Sequence, residues 1–260
     1  MRYAACLEYD GRGFCGFQAQ PSGCSVQDAL EHALAAIAGA PVRIAAAGRT
    51  DAGVHATAQL VHFDTEATRP DTAWVRGTNA HLPAGASVLW ARAVAPDFHA
   101  RFAARARRYT YLLLDRPTRP GLDGGRVGWY HRPLDVEAMA QAARCLVGTH
   151  DFSAFRAAEC QAKTPVKTLL ALDVRRVGAL VRLDFHATAF LHHMVRNIVG
   201  ALVYVGALRQ PAQWVESLLA GRDRTRAAPT FAPDGLYFTG AEYDASSGLP
   251  DTTRDIVLTA

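Results

Sequence analysis

The stretch of sequence with the clearest chemical potential is Gly48–Ala56, which reads Gly-Arg-Thr-Asp-Ala-Gly-Val-His-Ala. An apolar run at 42–47 precedes it and an alternating run at 57–63 follows it, so its two glycines bracket a predicted turn between two strands. Asp51 projects from this turn, and loops on a rigid scaffold often carry function. Its carboxylate could supply a nucleophile. A plain β-turn, in which the aspartate bonds its own backbone, is the alternative that the turn alone leaves open.

A second candidate site is the segment Phe98–Tyr111, which interleaves arginines with aromatic rings and contains no acidic residue. Guanidinium groups bind phosphates and aromatic rings stack on bases, so this composition suits a nucleic-acid surface. Its arginines are Arg101, Arg105, Arg107 and Arg108, and its two tyrosines, Tyr109 and Tyr111, share one face of a predicted strand. A solvated, arginine-flanked strand that enters the core is the alternative, and the pattern does not separate the two.

Arg196 is unusual because it lies in a strongly apolar predicted helix, Phe190–Leu208. A charge in such surroundings is costly unless it is paired, and a structural ion pair is the plain explanation. The adjacent His192 and His193 would point about 100° apart on a helix, and neither has a second ligand at i+4. The sequence therefore predicts no metal site there.

A Gly-x-Gly-x-x-Gly pattern at Gly11–Gly16 follows the first predicted strand and raises the alternative of a dinucleotide-dependent oxidoreductase. Such a site needs the glycine turn to open a helix whose N-terminus holds the pyrophosphate. Pro21 and Gly23 intervene before the next helix, and Glu31, the nearby acidic residue, lies inside that helix. The pattern therefore does not predict nucleotide binding.

The composition is that of a globular protein, with 50% hydrophobic and 20% charged residues over 260 residues. A net charge of +4 is compatible with a polyanionic partner. The five cysteines are odd in number and form no C-x-x-C pair, which argues against a disulfide framework or a zinc site and favours the cytoplasm. The longest apolar stretch, 198–208, is too short to span a bilayer, so no membrane association is predicted.

Ser25-Val-Gln-Asp28 resembles a capping box, so a helix is predicted to begin at Ser25 and to end at Gly39. The segments 166–176 and 180–188 are predicted to form a hairpin, in whose second strand Val181, Leu183 and Phe185 face one way.

Hairpins and helices are mixed along the chain, which predicts an α+β fold with a largely antiparallel sheet. A change of character near residues 97–108 predicts an N-terminal subdomain, 1–104, that carries the Asp51 loop. The C-terminal subdomain, 105–244, then carries the tyrosines and the Arg196 helix, and residues 245–260 are predicted to form a flexible tail.

The segment Gly48–Ala56 resembles the active-site motif of the tRNA pseudouridine synthase A family, in which its aspartate, Asp51, is the nucleophile. Three further motifs resemble the family in the same order. In the Arg-x-Tyr-x-Tyr segment Arg107–Tyr111, the resemblance implies that Tyr109 stacks on the target base. In His192–Gly200 it implies that Arg196 faces the aspartate, and in Asp234–Tyr237 that Leu236 contacts the base.

The resemblance implies isomerisation of uridine to pseudouridine at positions 38, 39 and 40 of the tRNA anticodon stem-loop. Family members have the pseudouridine-synthase fold, two α/β subdomains whose largely antiparallel sheets join across a central cleft, and act as homodimers. The family usually has Trp where this chain has Phe17, in the loop after the first strand.

The implied reaction involves neither redox change nor hydrolysis, so neither a cofactor nor a metal is predicted. Asp51 could attack either C1′ of the sugar or C6 of the base. Arg49 would fill the space vacated by the flipped base or hold a neighbouring phosphate. The RNA backbone would be bound by four arginines, Arg101, Arg105, Arg107 and Arg108, with Arg222, Arg224 and Arg226 as further candidates. An RNA-binding protein that has lost catalysis is the rival hypothesis, and the intact Asp51 motif argues against it.

Overall fold

A computed structural model describes residues 1–256 of the chain. It divides into two compact units: the first comprises Met1–Arg107 together with the chain from Tyr237 onward, and the second comprises Arg108–Leu236. In the described residues the strands are β1 (Arg2–Tyr9), β2 (Ile44–Ala46), β3 (His55–Asp64), β4 (Ala86–Val94), β5 (Ala106–Asp115), β6 (Gly128–Tyr130), β7 (Gly148–Asp151), β8 (Val166–Val177), β9 (Leu180–Ala187) and β10 (Leu236–Glu242). The α-helices are α1 (Val26–Ala38), α2 (Asp71–His81), α3 (Val136–Ala143), α4 (Met194–Gly206) and α5 (Gln213–Gly221).

The sheet of the first unit has the strand order β4-β1-β3-β10, with β2 beside β3. β1 pairs antiparallel with both β3 and β4, and β2 pairs antiparallel with β3. β10 runs parallel to β3, with Tyr237 opposite His55. Aromatic rings fill the core of this unit: Tyr3 stacks on Phe63, and Trp74 of α2, which is fully buried, contacts both.

The start and end of α1 follow from the local sequence. The Ser25 hydroxyl accepts from Asp28 N at 3.0 Å, and the Asp28 carboxylate accepts from Ser25 N at 3.3 Å, which confirms the predicted capping box. Gly39 ends the helix in the left-handed conformation, with φ of 73°.

The second unit contains the strand order β5-β9-β8-β7, with β6 parallel to β5. β8 and β9 form the predicted hairpin, and in β9 the alternation is as expected: Val181, Leu183 and Phe185 are buried. Nearly all of α4 is buried, and α3 packs against both α4 and β8. The prediction of an α+β fold with a largely antiparallel sheet is confirmed.

The structure divides the chain differently from the prediction. The first boundary falls after Arg107 instead of residue 104, and the chain from Tyr237 returns to the first unit. The physical reason is the pairing of β10 with β3, a contact between distant parts of the sequence that no local pattern indicates.

The segment predicted to be a flexible tail makes backbone contacts with the first unit. Gly240 and Thr253 form an antiparallel bridge, Arg254 N donates to Thr239 O at 2.9 Å, and the Thr57 hydroxyl donates to Arg254 O at 2.6 Å. The tail prediction is therefore corrected for residues 245–256, and residues 257–260 lie outside the described part of the chain.

The predicted helix Phe190–Leu208 is shorter in the structure, where α4 begins at Met194. His193 has a φ of 60°, a left-handed conformation that an α-helix cannot continue through. His192 and His193 therefore precede the helix, and their ring centroids lie 4.0 Å apart, so the prediction that they point about 100° apart is wrong. In the part of the chain that the structure describes, no helix combines the length and apolarity that crossing a bilayer requires.

Cys15 and Cys24 form a disulfide, which the cysteine spacing did not predict. Between β1 and α1 the chain folds back so that Cys15 N donates to Cys24 O at 3.0 Å. The two Cα atoms then lie 5.5 Å apart, a usual separation for a disulfide. The other three cysteines, Cys6, Cys145 and Cys160, are free thiols.

Candidate active site

Asp51 lies in the turn between β2 and β3, as the sequence predicted, and is half-buried. The turn is closed by Val54 N, which donates to Asp51 O at 3.1 Å. Gly53 adopts a φ of 79°, which a side chain would disfavour. Arg49, two residues earlier, is exposed.

The loop after β1 lies directly against the Asp51 turn. Phe17 N donates to Thr50 O at 3.0 Å. A Cβ on Gly16 would lie 3.2 Å from both Thr50 O and Ala52 N, and one on Gly11 would overlap the Val54 carbonyl. The glycines of the Gly-x-Gly-x-x-Gly pattern thus allow two backbones to approach each other. Because Gly11–Gly13 form only a short 3₁₀ turn and α1 begins at Val26, the dinucleotide alternative has no α-helix at the glycine turn to support it.

Phe17, the departure from the family pattern, is 2% exposed and contacts the ring of Tyr9 at a centroid distance of 6.3 Å. The phenyl ring is thus anchored in the core of the first unit. His55, the histidine of the motif, is also buried, where its Nδ1 accepts from Gly11 N at 3.1 Å and its ring stacks on Tyr237 at 4.6 Å. These contacts give His55 a structural role.

The predicted RNA-binding arginines of the first unit differ in their surroundings. Arg101 is exposed and its guanidinium lies over the Phe102 ring, 5.6 Å from the centroid. Arg105 forms an ion pair with Asp244. Arg107 donates to the carbonyl oxygens of Ala104, at 3.0 Å, and of Ala47, at 3.3 and 3.4 Å, and therefore braces the strand that leads into the Asp51 turn. No local pattern in the sequence predicts this contact between distant segments.

In the second unit, the two tyrosines of β5 have different environments. Tyr109 is half-buried, and its ring meets Phe190 edge-on at 5.0 Å. Tyr111 is fully buried, and its hydroxyl donates to Ala232 O at 3.0 Å. Burial raises the pKa of Tyr111 well above its usual value, so this phenol stays neutral. Arg108, the first residue of the second unit, is exposed.

Arg196 is half-buried in the first turn of α4. Its Nε donates to Phe231 O at 2.9 Å, and Phe231 N donates back to Arg196 O at 3.3 Å. The segment 228–231 is in turn held by Arg224, whose guanidinium donates to Ala228 O at 2.8 Å and to the side chains of Asn197 and Thr230 at 3.0 and 3.1 Å. Burial lowers the pKa of Arg224.

Three of the accessory residues named from the sequence also have defined places. Leu236 is 5% exposed at the start of β10, beside Gly235, whose φ is 83°. Arg224, suggested as a phosphate ligand, is engaged in the contacts just described, whereas Arg222 lies 3.6 Å from the Asp151 carboxylate. The structure thus brings Asp51 and Arg49 into one turn of the first unit and Arg196 into contact with Phe231 in the second. The predicted proximity of Arg196 to Asp51 stays a prediction.

A family model described as tRNA pseudouridine synthase matches residues 5–103 and 142–244. These ranges contain Asp51, Arg196 and Leu236, whereas Tyr109 lies in the interval between them. Individual proteins match over almost the whole chain, including that interval.

The tRNA pseudouridine synthase A of Dechloromonas aromatica is 60% identical over 257 residues, which are 99% of this chain and 98% of that protein. That of Thiobacillus denitrificans is 60% identical over 254 residues, 98% of each chain. That of Chromobacterium violaceum is 60% identical over 251 residues, 96% of each. The family resemblance drawn from the four motifs is thereby confirmed: this chain belongs to the tRNA pseudouridine synthase family.

Proposed function

We propose that this protein isomerises uridine to pseudouridine at positions 38, 39 and 40 of the tRNA anticodon stem-loop, with Asp51 as the covalent catalyst. The observation that carries this proposal is the Asp51 turn, an intact family motif held rigidly between β2 and β3. The relatives with 60% identity are tRNA pseudouridine synthases A, which supports the same substrate class.

The reaction breaks the N-glycosidic bond, rotates the uracil and forms a carbon–carbon bond from C5 of the base to C1′ of the sugar. Asp51 supplies the covalent step, by attack on C1′ or on C6. No electrons are gained or lost overall and water is not a reactant, so the proposal includes neither cofactor nor metal. Water must be kept from the reacting sugar, since otherwise the bond is hydrolysed.

Arg196 is proposed to keep the Asp51 carboxylate ionised, because a nearby guanidinium favours the charged form of a carboxylate whereas burial opposes it. The hydrogen bond from its Nε to Phe231 O supports this role. Because the guanidinium is planar, fixing the edge that carries Nε also fixes the orientation of its other edge.

Tyr109 is proposed to stack on the flipped uracil and to assist proton transfer. Its half-buried ring, fixed edge-on by Phe190, supports a stacking role better than the fully buried Tyr111 would. Leu236 would contact the base, and Arg49 would occupy the vacated position in the stem or bind the neighbouring phosphate.

Phosphate contacts are proposed for the arginine-rich segment. Exposure to solvent supports this role for Arg101, Arg105 and Arg108, whereas Arg107 is half-buried and donates to the Ala104 and Ala47 carbonyl oxygens. We also propose that the protein acts as a homodimer in the cytoplasm, as the family resemblance implies.

The test is release of the C5 hydrogen, as tritium, from unmodified tRNA carrying [5-³H]uridine. Wild-type protein is expected to release tritium in proportion to the uridines at positions 38–40, and Asp51→Asn to release none while binding tRNA with unchanged affinity. Asn keeps the size of the side chain and removes its nucleophilic carboxylate. Tritium release by Asp51→Asn at the wild-type rate would contradict the proposal, and so would release from uridines elsewhere in the tRNA only.

A further inference from the structure

Buried polar side chains lie directly beneath the Asp51 turn, a place that an apolar core would normally fill. Gln59 of β3 is 0% exposed, Tyr9 of β1 is 4% exposed and Thr50 of the turn is 7% exposed. Buried polar groups are retained at a cost in desolvation, so their hydrogen bonds need an explanation.

These side chains form a chain of hydrogen bonds that ends on the turn. Gln59 Nε2 donates to Gly48 O at 2.8 Å and lies 3.5 Å from the Tyr9 hydroxyl. The hydroxyls of Tyr9 and Thr50 are 2.7 Å apart. The turn is therefore held by buried side chains at two residues: Gly48, which begins it, and Thr50, which directly precedes Asp51.

The orientation of the Gln59 amide is fixed by its main partner, because a carbonyl oxygen such as that of Gly48 accepts only from the NH₂ end. Its own Oε1 is buried without a hydrogen-bond partner among the described residues. A leucine of similar shape would fill the same space without that penalty. An amide is therefore less favourable than a leucine if the side chain only fills the core, which points to a role in holding Gly48.

Tyr9 contributes as a neutral phenol. Burial raises its pKa to about 12, so its hydroxyl keeps its proton across the physiological range and can donate to Thr50 while accepting from Gln59. The third side of the turn is braced by backbone, where Phe17 N donates to Thr50 O. With these contacts, neither end of the Gly48–Asp51 segment can shift without breaking a buried hydrogen bond.

We propose that Tyr9 and Gln59 are positioning residues, which act through Gly48 and Thr50 to set the location of the Asp51 carboxylate. This inference rests on the proposed function of Asp51. A nucleophile must be held within a fraction of an ångström of its productive position, and a displacement of about 1 Å can cost on the order of 100-fold in rate.

The experiment compares Gln59→Leu and Tyr9→Phe with the wild type, and uses Tyr3→Phe as the matched control. Tyr3 lies in the same strand and is equally buried, but its hydroxyl is 3.5 Å from Arg69 O and does not contact the turn. Single-turnover tritium release is measured well below the unfolding temperature of each variant. Tritium release is expected to slow about 10-fold to 100-fold for Gln59→Leu and by a smaller factor for Tyr9→Phe, with tRNA affinity unchanged and Tyr3→Phe like the wild type.

A second pair of variants tests whether turnover depends on the hydroxyl group of Thr50 or only on the shape of its side chain. Thr50→Ser keeps the partner of Tyr9 and is expected to keep most of the activity, whereas Thr50→Val, which has the same shape without the hydroxyl, is expected to slow turnover as Tyr9→Phe does. If Thr50→Val is fully active, the hydrogen-bond chain does not position the aspartate and the proposal is overturned.

Hydrogen exchange of the amides in residues 48–54 gives a readout that does not depend on catalysis. Faster exchange in Gln59→Leu and Tyr9→Phe, but not in Tyr3→Phe, supports the proposal even if the wild type proves inactive on tRNA, a result that would refute only the proposed function. Unchanged exchange in this segment overturns the proposal, as does faster exchange with full turnover.

Discussion

The two units hold their key residues by opposite means. In the first, Asp51 lies on a loop that is fixed by glycines in close backbone contact and by buried polar side chains. In the second, Arg196 lies on α4, a helix buried on nearly all sides, and its Nε donates to Phe231 O. The position of the loop therefore depends on a few specific atoms, whereas the position of the helix depends on apolar contacts distributed over many residues.

The largest expected effect comes from adding a methyl group where the two loops of the first unit meet. In Gly11→Ala the new Cβ would overlap the Val54 carbonyl, so we expect a loss of about 3 kcal/mol in the free energy of unfolding and of most activity. Gly13→Ala is the control, because its Cβ would meet nothing within 4 Å in the same short helical turn. Urea unfolding measures the free energy of unfolding of both variants. If the two are equally stable, the close backbone contact at Gly11 does not hold the loop as proposed.

The corresponding change in the second unit removes the clamp on the segment 228–231. Arg224→Ala loses hydrogen bonds to Ala228, Asn197 and Thr230, so we expect a destabilisation of about 1–3 kcal/mol. Arg226→Ala, an exposed arginine two residues away, is expected to change stability by less than about 0.5 kcal/mol. Thermal unfolding compares the stability of the two variants. If Arg224→Ala is as stable as Arg226→Ala, the Arg224 hydrogen bonds to the segment 228–231 and to Asn197 do not stabilise the second unit.

The smallest expected effect is a pH dependence confined to the first unit. His62 of β3 is buried and its Nδ1 accepts from Ala100 N at 3.2 Å, which requires a neutral ring. The pKa of His62 is lowered to about 4, mainly by burial and also by the nearby His99 and Arg2, whereas Asp64 has a weaker opposing effect. Between pH 6.5 and 4 the unfolded chain then binds a proton that the folded chain does not, so stability falls as the pH falls.

His62→Gln keeps an acceptor for Ala100 N but cannot titrate. We expect its stability to decline by about 1 kcal/mol less than that of the wild type between pH 7 and pH 5.5, measured by urea unfolding. His32→Gln, which replaces an exposed histidine of α1, should follow the wild-type curve. Parallel curves for wild type and His62→Gln would exclude His62 as the source of the acid sensitivity.

Local signals in the sequence predicted the parts of the fold that depend on neighbouring residues. The capping box of Ser25 and Asp28, the left-handed Gly39 and the alternation of β9 each involve residues a few positions apart. The motif turn around Asp51 was located for the same reason. The pseudouridine synthase family was recognised from four short motifs, each of which is local.

Features that depend on distant parts of the chain could not be read from the sequence. The pairing of β10 with β3 joins segments separated by most of the sequence, and the Arg107 contact to Ala47 spans two separate elements. The helix predicted over Phe190–Leu208 starts later than expected, at Met194, because of a single backbone angle at His193, where no glycine or proline marks the break. The Cys15–Cys24 disulfide likewise arises from a loop that folds back, a path that residue counting does not reveal.

The parallel pairing of β10 with β3 also orders events during synthesis. The second unit, Arg108–Leu236, is complete in the nascent chain before the strand that finishes the first unit has been translated. Residues 108–236 must therefore leave the ribosome before the older part of the chain can acquire its last strand, and until then the start of β3, at His55 and Ala56, offers an unpaired edge to other molecules.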